Sequence, residues 1–267
     1  MWFGCSFNTN DLPREYAKNN TWYQDYQNII TSSLEKYLNP FGELSATKMM
    51  EDYFQNVNAD VFICHSHNDK IIAENLAVFL YRQLGLRAFV DSMIWGSADS
   101  LLRKIDDKFC YNEGKHTYNY KKRNLSTSYV HMMLCSSLAN MMDKCICFIF
   151  INSNQSIKPS SIDTESSHET FSPWIFFELS LFQKIRKFPL SQSELHKKAN
   201  LVNENFSSEN FKVTFPAETK NLPPLDISVV DKLALEGISG KQALIKLHKM
   251  LFPEQYKPTA YIKIYGL

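Results

Sequence analysis

Trp174-Ile175-Phe176-Phe177-Glu178 sets a tryptophan and a glutamate four residues apart, so the two share one face of a helix. Leu181 and Ile185 continue that stripe, and Glu178 interrupts an apolar row. A carboxylate among Phe176, Phe177 and Leu181 is costly to bury unless it is paired or faces a cleft. Ser172-Pro173 suits the start of such a helix, because serine caps and proline is tolerated at the first position. A second polar group, His65-Ser66-His67-Asn68-Asp69, follows the apolar run that ends at Cys64. Asp91 follows another short apolar stretch and is either a site-edge carboxylate or a loop cap. His65 and His67 are too few ligands for a metal pair. The six cysteines form no C-x-x-C pair, and Cys145 and Cys147, two apart in an apolar run, read as core. The G-x-S-x-G, H-E-x-x-H and Walker patterns of common hydrolases and NTPases are not present.

The elements that must position these residues begin at 60–65, a short apolar run bounded by polar residues, which suits a strand buried on both faces. Ile72, Leu76, Phe79 and Leu80 recur at helical spacing after it, with Asp69 as the predicted N-cap and Gly85 as the C′ residue. Residues 86–91 form a second strand, so the unit is βαβ and the sheet parallel. Helices are expected over 98–109 and 126–142, and a third strand over 145–152. The helix opened by Ser172 runs to about 187. Residues 211–215 and 225–230 are expected as the fourth and fifth strands, and 239–251 as a terminal helix. The region before 55 shows no periodic strand pattern, with helical spacing over 22–37 and 46–54.

The expected fold is α/β, a flavodoxin-like doubly wound parallel sheet of about five strands over 58–252, with 60–65 as its central first strand. Residues 1–57 form an N-terminal helical extension, 110–125 and 153–170 are insertions, and 253–267 form a tail. Ligands of open parallel sheets bind beyond the carboxyl ends of the strands. Residues 65–69, 91–97 and 174–178 should therefore converge on one cleft.

The 267 residues, 44% hydrophobic and 21% charged, have ordinary globular composition. Lys+Arg 29 against Asp+Glu 28 gives +1, which provides no bulk attraction to nucleic acid or an acidic membrane. Lys121-Lys122-Arg123 is a phosphate contact or, more simply, a solvated insertion loop. Scattered thiols suit a reducing cytoplasm. The start lacks the layout of a signal peptide, and no segment approaches the ~18 apolar residues of a membrane span.

Asp60-Val61-Phe62-Ile63 with its Ser/His loop, Gly85-Leu86-x-x-Phe89-x-Asp91, and Trp174-x-x-x-Glu178 at a helix start occur in that order. Together they resemble a Toll/interleukin-1 receptor (TIR) domain, most closely the bacterial TIR proteins of Thoeris-like antiphage defence. The resemblance covers about 58–252, loosely in the insertions and the distal part. It implies a NAD+ nucleosidase or cyclase that cleaves the nicotinamide–ribose bond, with NAD+ as substrate and no cofactor. Glu178 is implied as the catalytic carboxylate, stabilising an oxocarbenium-like ribose. Ser66, His65 and His67 follow the first strand, where such enzymes line the site. Ser66 or His67 would bond ribose or phosphate; alternatively Ser66 caps the loop and the histidines are solvated. Trp174 or Trp95 would stack on a base, with Trp174 as core packing the alternative.

The resemblance also implies self-association, for which Met93-Ile94-Trp95 offers an apolar contact. A separate effector would respond to the product, and a phage-derived trigger would start the reaction. The contrasting expectation is a non-catalytic TIR module that assembles signalling complexes. A receiver-like domain lacks its acidic cluster here.

Overall fold

Val61, Phe62, Ile63 and Cys64 are all buried, as expected for a strand covered on both faces. In the computed structural model, which describes residues 3–9, 33–95, 98–159, 168–185 and 213–256, this segment lies within a five-stranded parallel sheet. The strands are β1 (Phe3–Asn8), β2 (Val61–Cys64), β3 (Ala88–Phe89), β4 (Cys147–Asn152) and β5 (Pro224–Leu225), in the spatial order β5-β1-β4-β2-β3. The helices are α1 (Ala46–Tyr53), α2 (Lys70–Leu84), α3 (Asp91–Ile94), α4 (Ala98–Ile105), α5 (Tyr120–Lys144), α6 (Pro173–Lys184), α7 (Ile227–Leu235) and α8 (Gly240–Leu251). The architecture is the expected flavodoxin-like α/β fold. Gly85 ends α2 at φ 65°, a left-handed conformation that costs glycine little.

The origin of the strands differs from expectation. Residues 3–8, read as lacking a strand, pair in parallel along the whole length of β4. Phe3, Cys5 and Phe7 point to one face, where Phe3 meets His248 of α8 at 5.0 Å. Gly4 and Ser6 occupy the other face. Both are poor strand formers by propensity, and both are there because the layer above presses close. A Cβ on Gly4 would lie 2.5 Å from Phe182 Cζ, and Ser6 Oγ donates to the Leu222 carbonyl at 3.3 Å.

The expected fourth strand, 211–215, is not in this sheet. Phe215–Pro216 instead pairs antiparallel with His168–Thr170, which pairs with Lys158–Pro159; residues 211 and 212 lie outside the described residues. Of 225–230, only the beginning is strand: Asp226 accepts from Ser228 N at 2.8 Å and starts α7. The middle strand is β4, with β2 one place from the β3 edge. Of the predicted 22–37 helix, only the 3-10 turn Leu34–Tyr37 is described; 10–32 lie outside the described residues.

The 110–125 insertion is a short hairpin, Tyr111–Asn112 against Thr117–Tyr118, followed by α5, which starts at Tyr120 rather than 126. Lys121, Lys122 and Arg123 therefore sit in a helix, with Arg123 Nε 2.9 Å from the buried Asp106 carboxylate. α1 and the 3-10 turn before it pack on α4 and α5 in a second apolar cluster that includes Tyr37, Tyr53, Leu101 and Val130. Trp95 and Leu134 touch both this cluster and the main core.

The close fit at Gly4 yields a test. Gly4→Ala should cost about 1–3 kcal/mol, the range for overpacking a filled core. Thermal or urea unfolding would measure it; an unchanged midpoint would mean that Phe182 does not seat on this strand.

Candidate functional site

A row of register-paired residues crosses one face of the sheet: Phe89 on β3, Phe62 on β2, Phe148 on β4 and Gly4 on β1. Phe62 stacks on Phe148 at 6.0 Å, and Phe148 stacks on Phe182 of α6 at 4.7 Å. Phe182 thus fixes where α6 lies along the strands. Cys64 is two residues beyond Phe62 on the same face of β2, about 6.6 Å toward the carboxyl edge. Glu178 is four residues before Phe182, about 6 Å in the same direction because the helix descends from that edge. The two steps match, and Glu178 meets Cys64 at the end of β2. Trp174 lies one further turn out. Ser172 caps the helix by accepting from Ile175 N at 3.2 Å, as expected.

Glu178 is 6% exposed. Burial first, and the nearby Asp91 carboxylate second, push its carboxyl up to about 8, while the Cys64 thiol partly offsets this by favouring the ionised form. Burial and Glu178 together hold the Cys64 thiol far above the usual range. Asp91 is 44% exposed at its side chain, and its Oδ1 accepts from Ser92 N at 2.6 Å. His65 Nε2 lies 3.7 Å from the same Oδ1 and 3.3 Å from Ser92 Oγ, with a largely buried ring. Cys64, His65, Asp91, Ser92 and Glu178 therefore form one polar group at the carboxyl ends of β2 and β3.

α5 closes one side. Its His131 packs edge-to-face on Trp174, ring centroids 5.3 Å apart at 86°. One turn on, the thiol of the half-buried Cys135 is pushed up by burial and by Glu178.

A second construction spans the crevice between β2 and β4, where the chain order reverses. Asp69 Oδ2 accepts from Ser66 Oγ at 2.6 Å, Ser153 Oγ at 2.5 Å and Ser156 Oγ at 2.9 Å, and the carboxylate is buried. Asp69 occupies the N-cap position of α2 but makes no side-chain cap bond there. Its acceptor capacity goes to the serines, which tie the loop after β2 to the loop after β4.

The predicted site residues thus divide. Glu178, Trp174, Asp91 and His65 come together. Ser66 lies at the same edge, but its hydroxyl donates to Asp69 Oδ2 and accepts from Asp69 N, which is the capping alternative. His67 is exposed in the 3-10 turn His67–Asp69, as in the alternative of a solvated histidine. Trp95 is a correction. Its indole N–H donates to the Gln55 carbonyl at 2.8 Å, and its ring packs edge-on against Phe54 and Phe89. Ile94 is buried beside it, so the apolar 93–95 run faces inward because two cores need a bridge there.

Cys64, His131 and Cys135 are not among the residues that the sequence singles out for the site, and Ser92 is there only as part of the 91–97 segment. Cys64 alone had a signal, as the residue that shares the Phe62 face at the strand's end. Cys145 and Cys147 are buried core thiols as expected, with Cys145 pushed up to about 12 by burial. Among the described residues no group of three or more His, Cys, Asp and Glu side chains is placed to hold a metal ion, and no helix is long and apolar enough to cross a membrane.

The buried carboxyl makes stability depend on pH. Its folded pKa, about 8, exceeds the unfolded 4.5, so its stabilising contribution is full below pH 4.5 and lost as pH rises through about 8. Glu178→Gln cannot ionise and escapes that loss. Its Tm should lie close to wild type near pH 5 and exceed it by about 10 °C at pH 8.5. Calorimetric scans at the two pH values would show this, and equal Tm values at pH 8.5 would contradict the buried carboxyl.

Compared with family models, with curated proteins and with solved structures, the chain matches none of them.

Proposed function

We propose that this protein is a TIR-type NAD+ nucleosidase or cyclase with Glu178 as its catalytic carboxylate. The observation that carries the reading is a buried glutamate at the carboxyl end of β2, one helical turn below a half-exposed tryptophan and beside a polar edge. The order of Asp60-Val61-Phe62-Ile63, Asp91 and Trp174-x-x-x-Glu178 along a flavodoxin-like sheet supports the same family.

In the proposed reaction the nicotinamide–ribose C–N bond breaks and its electron pair goes to the nicotinamide nitrogen. Nicotinamide leaves neutral and needs no acid. Positive charge passes to the ribose as an oxocarbenium ion, which the Glu178 carboxylate stabilises in a poorly solvated place. Water then adds to the ribose carbon and releases a proton, giving ADP-ribose; attack by another atom of the ADP-ribosyl group would give a cyclic product. With a pKa of about 8, Glu178 carries a proton in the free protein at neutral pH. The positively charged nicotinamide ring, placed beside the carboxyl, favours its loss, since opposite charge stabilises the carboxylate. Trp174 supplies a flat surface for an aromatic base. The product would act on a separate effector, and a phage-derived trigger and self-association remain part of the proposal. The six free thiols suit a reducing compartment.

A second reading, a non-catalytic interaction module of the same family, has its own support. A groove of about 850 Å³ between α1 and α5 is rimmed by exposed Leu125, Tyr129 and Met132, away from Glu178.

The decisive experiment is incubation with NAD+ and identification of products by mass spectrometry across pH. Wild-type kcat/KM should rise with pH and level off above about 8, because the free protein must ionise Glu178. Glu178→Gln should lose about 100-fold or more in kcat and keep its fold. Equal cleavage by Glu178→Gln would refute the catalytic role, and no cleavage by wild type would favour the interaction module.

A further inference from the structure

α5 and α6 meet in matching register. His131 and Cys135 are one turn apart on α5, and Trp174 and Glu178 are one turn apart on α6. His131 packs against Trp174, and Cys135, one turn on, lies within electrostatic reach of Glu178, in the same order along both helices. The ring planes of His131 and Trp174 stand at 86° with centroids 5.3 Å apart, the edge-to-face arrangement that aromatic quadrupoles favour. Trp174 is only half-buried, and the turn that bears it projects past the end of β2. A half-buried indole on a helix's first turn keeps rotamer freedom on its open side unless neighbours remove it. Trp174 packs along the main core, and His131, on a helix outside the β2-α2-β3 unit, is its aromatic neighbour.

We propose that His131 is a positioning residue: it holds the Trp174 ring on edge beside Glu178, so that the ring's open surface receives the aromatic base of a nucleotide substrate. α5 then acts as the specificity wall of the site. The contact is aromatic rather than ionic, so phenylalanine should replace the imidazole and alanine should not. A ring left free to turn loses its pre-organisation, which weakens base binding more than the bond-breaking step at Glu178. The substrate part rests on the nucleosidase reading; the placement of Trp174 does not.

Two measurements separate them. In NAD+ kinetics, His131→Ala should raise KM about three- to tenfold with kcat within about twofold of wild type, the size of one lost aromatic pair. His131→Phe should restore KM. Unchanged KM in His131→Ala, or failure of His131→Phe to restore it, overturns the specificity role. The second measurement needs no substrate. The near-ultraviolet circular dichroism of Trp174, taken as wild type minus Trp174→Phe, should vanish in the His131→Ala background and persist in His131→Phe. A Trp174 band that survives His131→Ala overturns the positioning role, even if the kinetics change. If wild type leaves NAD+ intact, the nucleosidase reading fails, and the dichroism alone decides whether His131 orients Trp174.

Discussion

Phe182 seated over Gly4 is the contact on which the position of the site depends. The row Phe89, Phe62, Phe148, Gly4 presents three rings and then a gap, and one ring from α6 fills that gap. A helix on a sheet is otherwise free to slide, because apolar attraction has no direction. A gap that admits one side chain removes that freedom, since packed interiors tolerate neither voids nor overlap. Once Phe182 is placed, helical rise and strand rise bring Glu178 to Cys64. The N-terminal strand is thus part of the machinery that positions the carboxylate, although it lies more than 160 residues away in sequence.

The edge of the sheet is held by different means. Asp69 collects three serine hydroxyls from two loops, and a buried carboxylate with several donors is stable where a bare one is not. The 153–156 turn leads into the Lys158–Pro159 and His168–Thr170 pair, which leads to Ser172 and α6. Asp69 and Phe182 therefore anchor the same excursion at its root and along its helix. Apolar shape governs one anchor and hydrogen bonding the other, and their directional demands differ.

Glu178 has neither kind of support. It is buried beside another carboxylate, and only a thiol favours its charge. Such a group weakens the fold at alkaline pH, and natural proteins retain destabilising polar groups chiefly where they act. Asp69, equally buried, is surrounded by donors and makes a structural tie. The contrast between these two carboxylates separates the candidate site from the framework more clearly than burial does.

The βαβ unit, the left-handed stop of α2, the capped start of α6 and the pairing of Trp174 with Glu178 were legible in the chain, because each rests on local spacing. Of the candidate site, Glu178, Trp174, Asp91 and His65 were found that way. Residues 3–8 were not, since Gly4 and Ser6 are small for reasons that lie in Phe182 and Leu222. Trp95 carries a side chain suited to a ligand, and only tertiary contacts reveal that Gln55 already uses it, whereas Ser66 is taken up by Asp69 three residues on, the capping alternative that the sequence left open. Sequence by itself determined the class of fold and the carboxylate most costly to bury. Tertiary structure alone decided which strand completes the sheet, which polar groups are occupied and that α5 walls the site, because those outcomes depend on contacts between segments whose separation no local pattern encodes.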